Sequence, residues 1–217
     1  MMVVAATIVE IELGVDPGAW RAVGFTVDDA GVLLLGGIRM RLSGAAGQGP
    51  PSAGWTLAGL VDPTLTDIDG LATSSADASE LSEARMAHPN GVTSFDHLVI
   101  STSDLDRTCD AIEAATGAER RRVRDIGTLR QGFHRIGDLI IEVVTFPGVT
   151  APHATFWGIA LNAADIDSLH AQYGNEVLSA PKDAVQAGRR ISSFRESAGL
   201  GVPVAVMTPH RRRGDGA

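Results

Sequence analysis

Cysteine is almost missing from these 217 residues, Cys109 being the single one, so no intramolecular disulfide can staple the fold and a reducing cytoplasm is the expected setting. Cys109 takes an apolar position in a helical pattern, which reads as packing rather than chemistry. Positive charge is in deficit, with 18 Lys plus Arg against 26 Asp plus Glu and a formal net charge of −8. That balance disfavours nucleic-acid backbones and anionic lipid, so neither a nucleic acid nor a membrane is expected as a partner. No stretch approaches the roughly 18 uninterrupted apolar residues that suggest a spanning helix. The apolar opening from Met1 to Val15 carries Glu10 and Glu12, has no basic start and reads as a strand. Also missing, in any supporting context, are the glycine-rich nucleotide loops, the paired-cysteine motif and the nucleophile-elbow serine, which leaves nucleotide binding and Ser or Cys nucleophiles without positive evidence. What is present is an ordinary globular composition, 44% hydrophobic and 20% charged, on a chain long enough to bury a core. A soluble protein with a small-molecule partner is expected.

Two segments low in complexity, Ser43 to Ala53 and Thr73 to Pro89, read as connections. Around them the hydrophobic period changes in a repeated order: strand, helix, then several strands. From Ser94, the run Phe95-Asp96-His97-Leu98-Val99-Ile100-Ser101 predicts a strand closed by the helix caps Ser103 and Asp104. Leu105, Cys109 and Ile112 give the following helix one apolar stripe, and Gly117 stops it. Three strands follow, about Glu119 to Ile126, Arg130 to Ile136 and Leu139 to Phe146, completing a βαβββ unit. The plan recurs without a gap from Phe156: Phe95 matches Phe156, Asp104-Leu105-Asp106 matches Asp165-Ile166-Asp167, and Gly174 ends the second helix. The expected organisation is a degenerate N-terminal module over 1–75, a linker over 76–93, modules over 94–147 and 154–208, and a disordered tail over 209–217. The N-terminal part is expected to pack on the well-formed pair or against a second copy of the chain in a homodimer.

These residues carry a likeness. His88-Pro89-Asn90-Gly91-Val92, the strand Phe95 to Ile100, the helix start Asp104-Leu105-Asp106-Arg107-Thr108 and the run Leu139 to Val144 resemble a glyoxalase-like module of bacterial type. That places them beside the vicinal-oxygen-chelate superfamily of glyoxalase, bleomycin-resistance and extradiol-dioxygenase proteins. Gly188-Arg189-Arg190-Ile191 and Gly201-Val202-Pro203-Val204-Ala205 resemble the companion half. The resemblance covers about residues 88 to 210. It implies an α+β fold in which paired βαβββ modules form a curved mixed sheet around a cleft, with metal ligands from the first and fourth strand of each module. Here the first module offers His97 and Glu142, and the matching positions of the second are Gly158 and Ala205. A divalent Zn, Mn, Ni or Fe ion would therefore find half of the usual ligand set.

Side-chain alternation tests the site independently of that likeness, because residues two apart on a strand share a face. With Leu98, Ile100, Leu139, Ile141 and Val143 toward the helix, His97, Val99, Ile140, Glu142 and Val144 face the cleft. A carboxylate among so many aliphatic neighbours needs a protonated imidazole, an arginine or a cation, or else its pKa must rise. Three readings of His97 and Glu142 stay open: metal ligands, a metal-free acid–base pair, or an inherited hydrogen bond. By the same parity Gly158, Ala160, Ala205 and Met207 of the second module leave space for an organic ligand; the competing expectation is a cleft filled by N-terminal residues such as Trp55. Arg120, Arg122 and Arg124 share a strand face, either recognising a carboxylate or phosphate or standing as a solvated edge; Arg189 and Arg190 read as solvated. His134 has no fixed direction, and His153, just before the second module, is within reach of the cleft.

The function expected is that of a glyoxalase-like protein acting on a small oxygenated molecule, of lyase, isomerase or dioxygenase type, with Glu142 as ligand or base. The rival is a protein that sequesters a hydrophobic compound without turnover.

Overall fold

The computed structural model describes residues 5–44, 52–81 and 84–210. The chain is α+β, with two mixed sheets and few helices.

The first well-formed unit runs β7 (Val92–Ser101), α2 (Leu105–Thr116), β8 (Arg122–Ile126), β9 (Leu129–Ile136) and β10 (Leu139–Thr145), preceded by six strands and one helix described below. The second runs β11 (Thr155–Ala163), α3 (Ile166–Tyr173), β12 (Lys182–Asp183), β13 (Arg190–Ser193) and β14 (Val204–Met207). Each is a βαβββ module whose last strand lies parallel to its first, β10 beside β7 and β14 beside β11. The two join through antiparallel β7 and β11 into one eight-stranded sheet, order β12-β13-β14-β11-β7-β10-β9-β8.

Both helices start where an aspartate satisfies free backbone N–H groups, Asp104 accepting from Arg107 and Asp165 from Asp167 and Ser168. Gly117 ends α2 in the left-handed conformation that a glycine adopts without strain. Leu105, Cys109 and Ile112 of α2 are buried with Leu98, Ile100, Ile141 and Val143. Gly132 permits that approach, since a Cβ there would lie 2.7 Å from the Cys109 sulfur. Burial pushes the Cys109 thiol up to about 11, in keeping with a packing role.

The N-terminal strands form a sheet of their own rather than one module. β1 (Thr7–Leu13), α1 (Pro17–Ala22), β2 (Val32–Leu35) and β3 (Ile38–Leu42) make a βαββ unit with β3 parallel to β1. β4 (Ala53–Ala58), β5 (Asp67–Ile68) and β6 (Leu71–Ala76) make a second, with β6 parallel to β4 and no helix between β4 and β5. Antiparallel β1 and β4 join them, as β7 and β11 join the larger pair. Each N-terminal unit is thus a module shortened by one strand, and the second also lacks its helix. The Thr73 to Pro89 connection is shorter than its composition suggests: β6 extends through Ala76, and β7 already begins at Val92. His88 and Asn90 tie the rest of that connection down, His88 Nδ1 accepting from Thr26 N at 3.1 Å and Asn90 Nδ2 donating to Val23 O at 2.9 Å. Of the tail expected over 209–217, residues 211–217 lie outside the described residues.

One face of the six-stranded sheet is apolar, with Ile11, Leu13, Met40, Leu42 and Trp55 in a single core with the α2 side of the larger sheet. Trp55 stacks edge-on against Phe156 and donates to Thr73 Oγ1 at 2.8 Å. It therefore fills the core between the sheets, and no described N-terminal residue lines the opposite, clear face of the eight-stranded sheet.

Candidate functional site: a histidine between two carboxylates

On that clear face lies a cleft of about 320 Å³. His97 and Val99 from β7, Glu142 and Val144 from β10 and Gln131 from β9 line one side; Ala160, Ala205, Ile191 and Ser193 line the other. Phe146 and Trp157, with ring centroids 4.9 Å apart, close one end. Of the residues expected in the pocket, Val99, Ala160 and Ala205 are in the lining, whereas Ile140, Gly158 and Met207 are not. Ile140 and Met207 are of the right parity, but their strands contribute Glu142, Val144, Val204 and Ala205 to the lining instead. Gly158 is covered by Pro203: a Cβ on Gly158 would come 2.8 Å from the Pro203 carbonyl oxygen. Gly158→Ala should therefore cost about 1–3 kcal/mol through forced backbone movement, read as an earlier midpoint in denaturant unfolding.

His97 is held from both ends. Its Nδ1 lies 2.8 Å from Asp96 Oδ2 and its Nε2 lies 3.3 Å from Glu142 Oε2. Simple alternation sends Asp96 to the helix side. The pairing of β7 with β11 instead passes from Ala160–His97 to Leu161–Phe95, skipping Asp96, and this irregularity lets neighbouring residues reach one another on the cleft side. Asp96 in turn receives a 2.6 Å hydrogen bond from Arg189 Nη2. The dibasic pair is thus split by the structure: Arg190 is at the surface with Asp167, while the Arg189 side chain is only 4% exposed. Arg189 also donates to Asn162 Oδ1 at 3.0 Å and to Thr208 O at 2.7 Å. Among the described residues these bonds fasten the β12–β13 connection to the back of the site.

Burial pushes the Asp96 carboxyl up, and its bonds to His97 and Arg189 more than reverse that, holding it at about 2. Ionised, it can only accept, so the His97 Nδ1 carries a proton and Nε2 is left to share one with Glu142. Burial raises the Glu142 pKa above its ordinary value; His97 and Arg124 oppose the rise and Asp96 adds to it. Gln131 Nε2 donates to Glu142 Oε1 at 2.6 Å, and Gln131 Oε1 is buried with no hydrogen-bond partner among the described residues.

His134 is turned away, buried on the α2 side with Nδ1 2.8 Å from Ala118 O. His153 is exposed and packs beside Gly70. Neither supplies a third donor, and the described residues contain no group of three His, Cys, Asp or Glu side chains that could hold a metal. One imidazole and one carboxylate on one wall, faced by Ala160, Ala205, Ile191 and the weak donor Ser193, do not make a closed metal site. Asp96, Gln131 and Arg189 are the polar site residues that sequence reasoning missed.

No family model matches the sequence, and no curated protein matches it. Among solved structures, a variant of 4-hydroxymandelate synthase from Streptomyces coelicolor is similar over 97% of this chain and 94% of that one, with 14% identity and a TM-score of 0.61. Methylmalonyl-CoA epimerase from Mycobacterium tuberculosis is similar over 58% of this chain and 94% of that one, with 16% identity and a TM-score of 0.48. The likeness to the synthase is one of fold, an α+β chain with paired βαβββ modules.

Proposed function

We propose that the cleft takes up a small, largely apolar oxygenated molecule and that Glu142, paired with His97, moves a proton to or from it. The observation that carries this reading is the run Asp96–His97–Glu142 beside a cleft whose lining, apart from His97, Glu142, Gln131 and Ser193, is aliphatic and aromatic. Asp96 fixes the imidazole as Nδ1–H, so a proton held between Nε2 and Oε2 is the mobile one. Desolvation brings the Glu142 carboxyl closer to the working range of a general base, the direction in which proton transfer at neutral pH becomes efficient. Gln131 holds Glu142 Oε1 through its 2.6 Å bond, which leaves Oε2 for the proton shared with His97. Proton transfer next to a carbonyl, as in an isomerase or lyase, is the chemistry this supports.

A second reading rests on one distance. The 3.3 Å between Nε2 and Oε2 would let both atoms reach one divalent ion at about 2.0–2.2 Å, with the Nδ1–H to Asp96 bond orienting the ring. With two protein donors such an ion would be weakly held, no tighter than roughly micromolar. One experiment separates the readings: exchange of α-protons of small aryl and alkyl ketones into D2O, followed by NMR, before and after chelator treatment. Exchange that survives chelation supports the proton pair, and Zn, Mn, Ni and Fe titrations should then show only weak, His97-dependent binding. Exchange that vanishes and returns with an added cation supports the metal. An open cleft that binds ketones without exchange would make the protein a sequestering one.

A further inference from the structure

Of the three arginines expected to share a strand face, Arg120 turns instead to the helix side, where it bonds Asp106 of α2 beside Cys109. Arg120, Arg130, Arg135, Arg189 and Arg190 each have a carboxylate partner. Arg122 and Arg124 of β8 have none among the described residues.

Register fixes where these two point. Arg124 is the cross-strand partner of Gln131, and Arg122 is the partner of Phe133, which is itself the partner of Glu142. Directly opposed residues share a face, so both guanidinium groups rise from the face that carries Gln131 and Glu142. Further along the same strand pair, Ile126 is the partner of Leu129, which lines the cleft. Arg124 is half-buried and close enough for its charge to bear on Glu142. Two strand spacings, about 10 Å, separate β8 from β10.

A cleft with an apolar floor, a proton-transfer pair on one wall and two unpaired cations farther out on the same sheet face fits a molecule with a matching division. Resting on the proton-transfer reading above, we propose that Arg122 and Arg124 form an anion subsite, so that the ligand is an amphipathic carboxylic acid. Its apolar body lies against Val144, Phe146 and Trp157, and its carboxylate engages the guanidinium pair. Arginine suits this role because its planar fork meets a carboxylate with two parallel hydrogen bonds. On a chain of net charge −8, two arginines without a carboxylate partner among the described residues are also a local field that draws an acid toward this face. The competing explanation is that positive charge on β8, the edge strand of the eight-stranded sheet, only deters pairing with another chain.

The two explanations part on a matched pair of probes, 4-phenylbutyrate and its neutral amide, whose affinities are measured by calorimetry. Wild type should bind the acid about tenfold more tightly than the amide at low salt, and the advantage should shrink in about 0.5 M NaCl. In the R122Q/R124Q variant the acid should fall to the affinity of the amide, with amide binding unchanged; the amide thus reports that the cleft remains intact. Equal affinities for acid and amide in wild type would overturn the anion subsite and leave the cleft reading standing. Binding of neither probe would overturn both.

Discussion

Arg189→Met should lower stability by about 3–5 kcal/mol, the cost of leaving one member of a buried ion pair without its partner. For a chain of this length that is a fall of roughly 6–20 °C in the thermal midpoint. The reason is local. Asp96 and Arg189 side chains are 3% and 4% exposed, so water cannot replace the lost guanidinium. Among the described residues, His97 would remain as the one side-chain partner of the Asp96 carboxylate. Adding Asp96→Asn to Arg189→Met removes the stranded charge and should recover at least about 2 kcal/mol, a coupling visible in a double-mutant cycle. The acid limb offers a check. Asp96 is held at about 2 against an ordinary 3.8, so its contribution is fully present above the ordinary value and is lost as pH falls through about 2. Wild type should therefore lose about 2 kcal/mol between roughly pH 4 and pH 2 from this group, and the double variant should not.

What the sequence discloses and what it withholds follow from how local each feature is. The two βαβββ modules are legible because caps such as Asp104 and Asp165, stops such as Gly117 and Gly174, and the apolar stripe of α2 are written in consecutive residues. Alternation places His97 and Glu142 on one face, and their ring nitrogen and carboxylate oxygen lie 3.3 Å apart. Asp96 escapes the same rule because the irregular pairing of β7 with β11 breaks the alternation at that residue, which no count along a single strand can show. Arg189 escapes it too, since a dibasic pair in a connecting segment looks solvated until the fold brings Asp96, 93 positions away, against it. Ile140 and Met207 have the right parity, but parity fixes only a face and not which residues of that face line a cleft. In the N-terminal half the polar face is occupied by Glu10 held by Arg39 and Arg41, a closed ion-pair cluster where the larger sheet has its cleft.

Glu142→Gln should reduce ketone α-proton exchange by at least about a hundredfold, the usual weight of a positioned general base. The amide keeps the shape and can still hydrogen-bond Gln131 and His97, so folding should change little and the loss should fall on turnover rather than on ligand affinity. In wild type the rate should rise with pH through a value above the ordinary carboxylate range, because the basic form of Glu142 is lost as pH falls through its raised pKa. The most direct measurement is a titration of the Glu142 side-chain carboxyl carbon by NMR in metal-free protein, in wild type and in His97→Gln. A carboxyl shared with His97 in an apolar cleft should titrate above 4.5 in wild type and higher still in the variant, since His97 is the strongest of the groups holding it down. A Glu142 that titrates at or below its ordinary value and does not respond to loss of His97 would contradict the proton pair on which the proposed function rests.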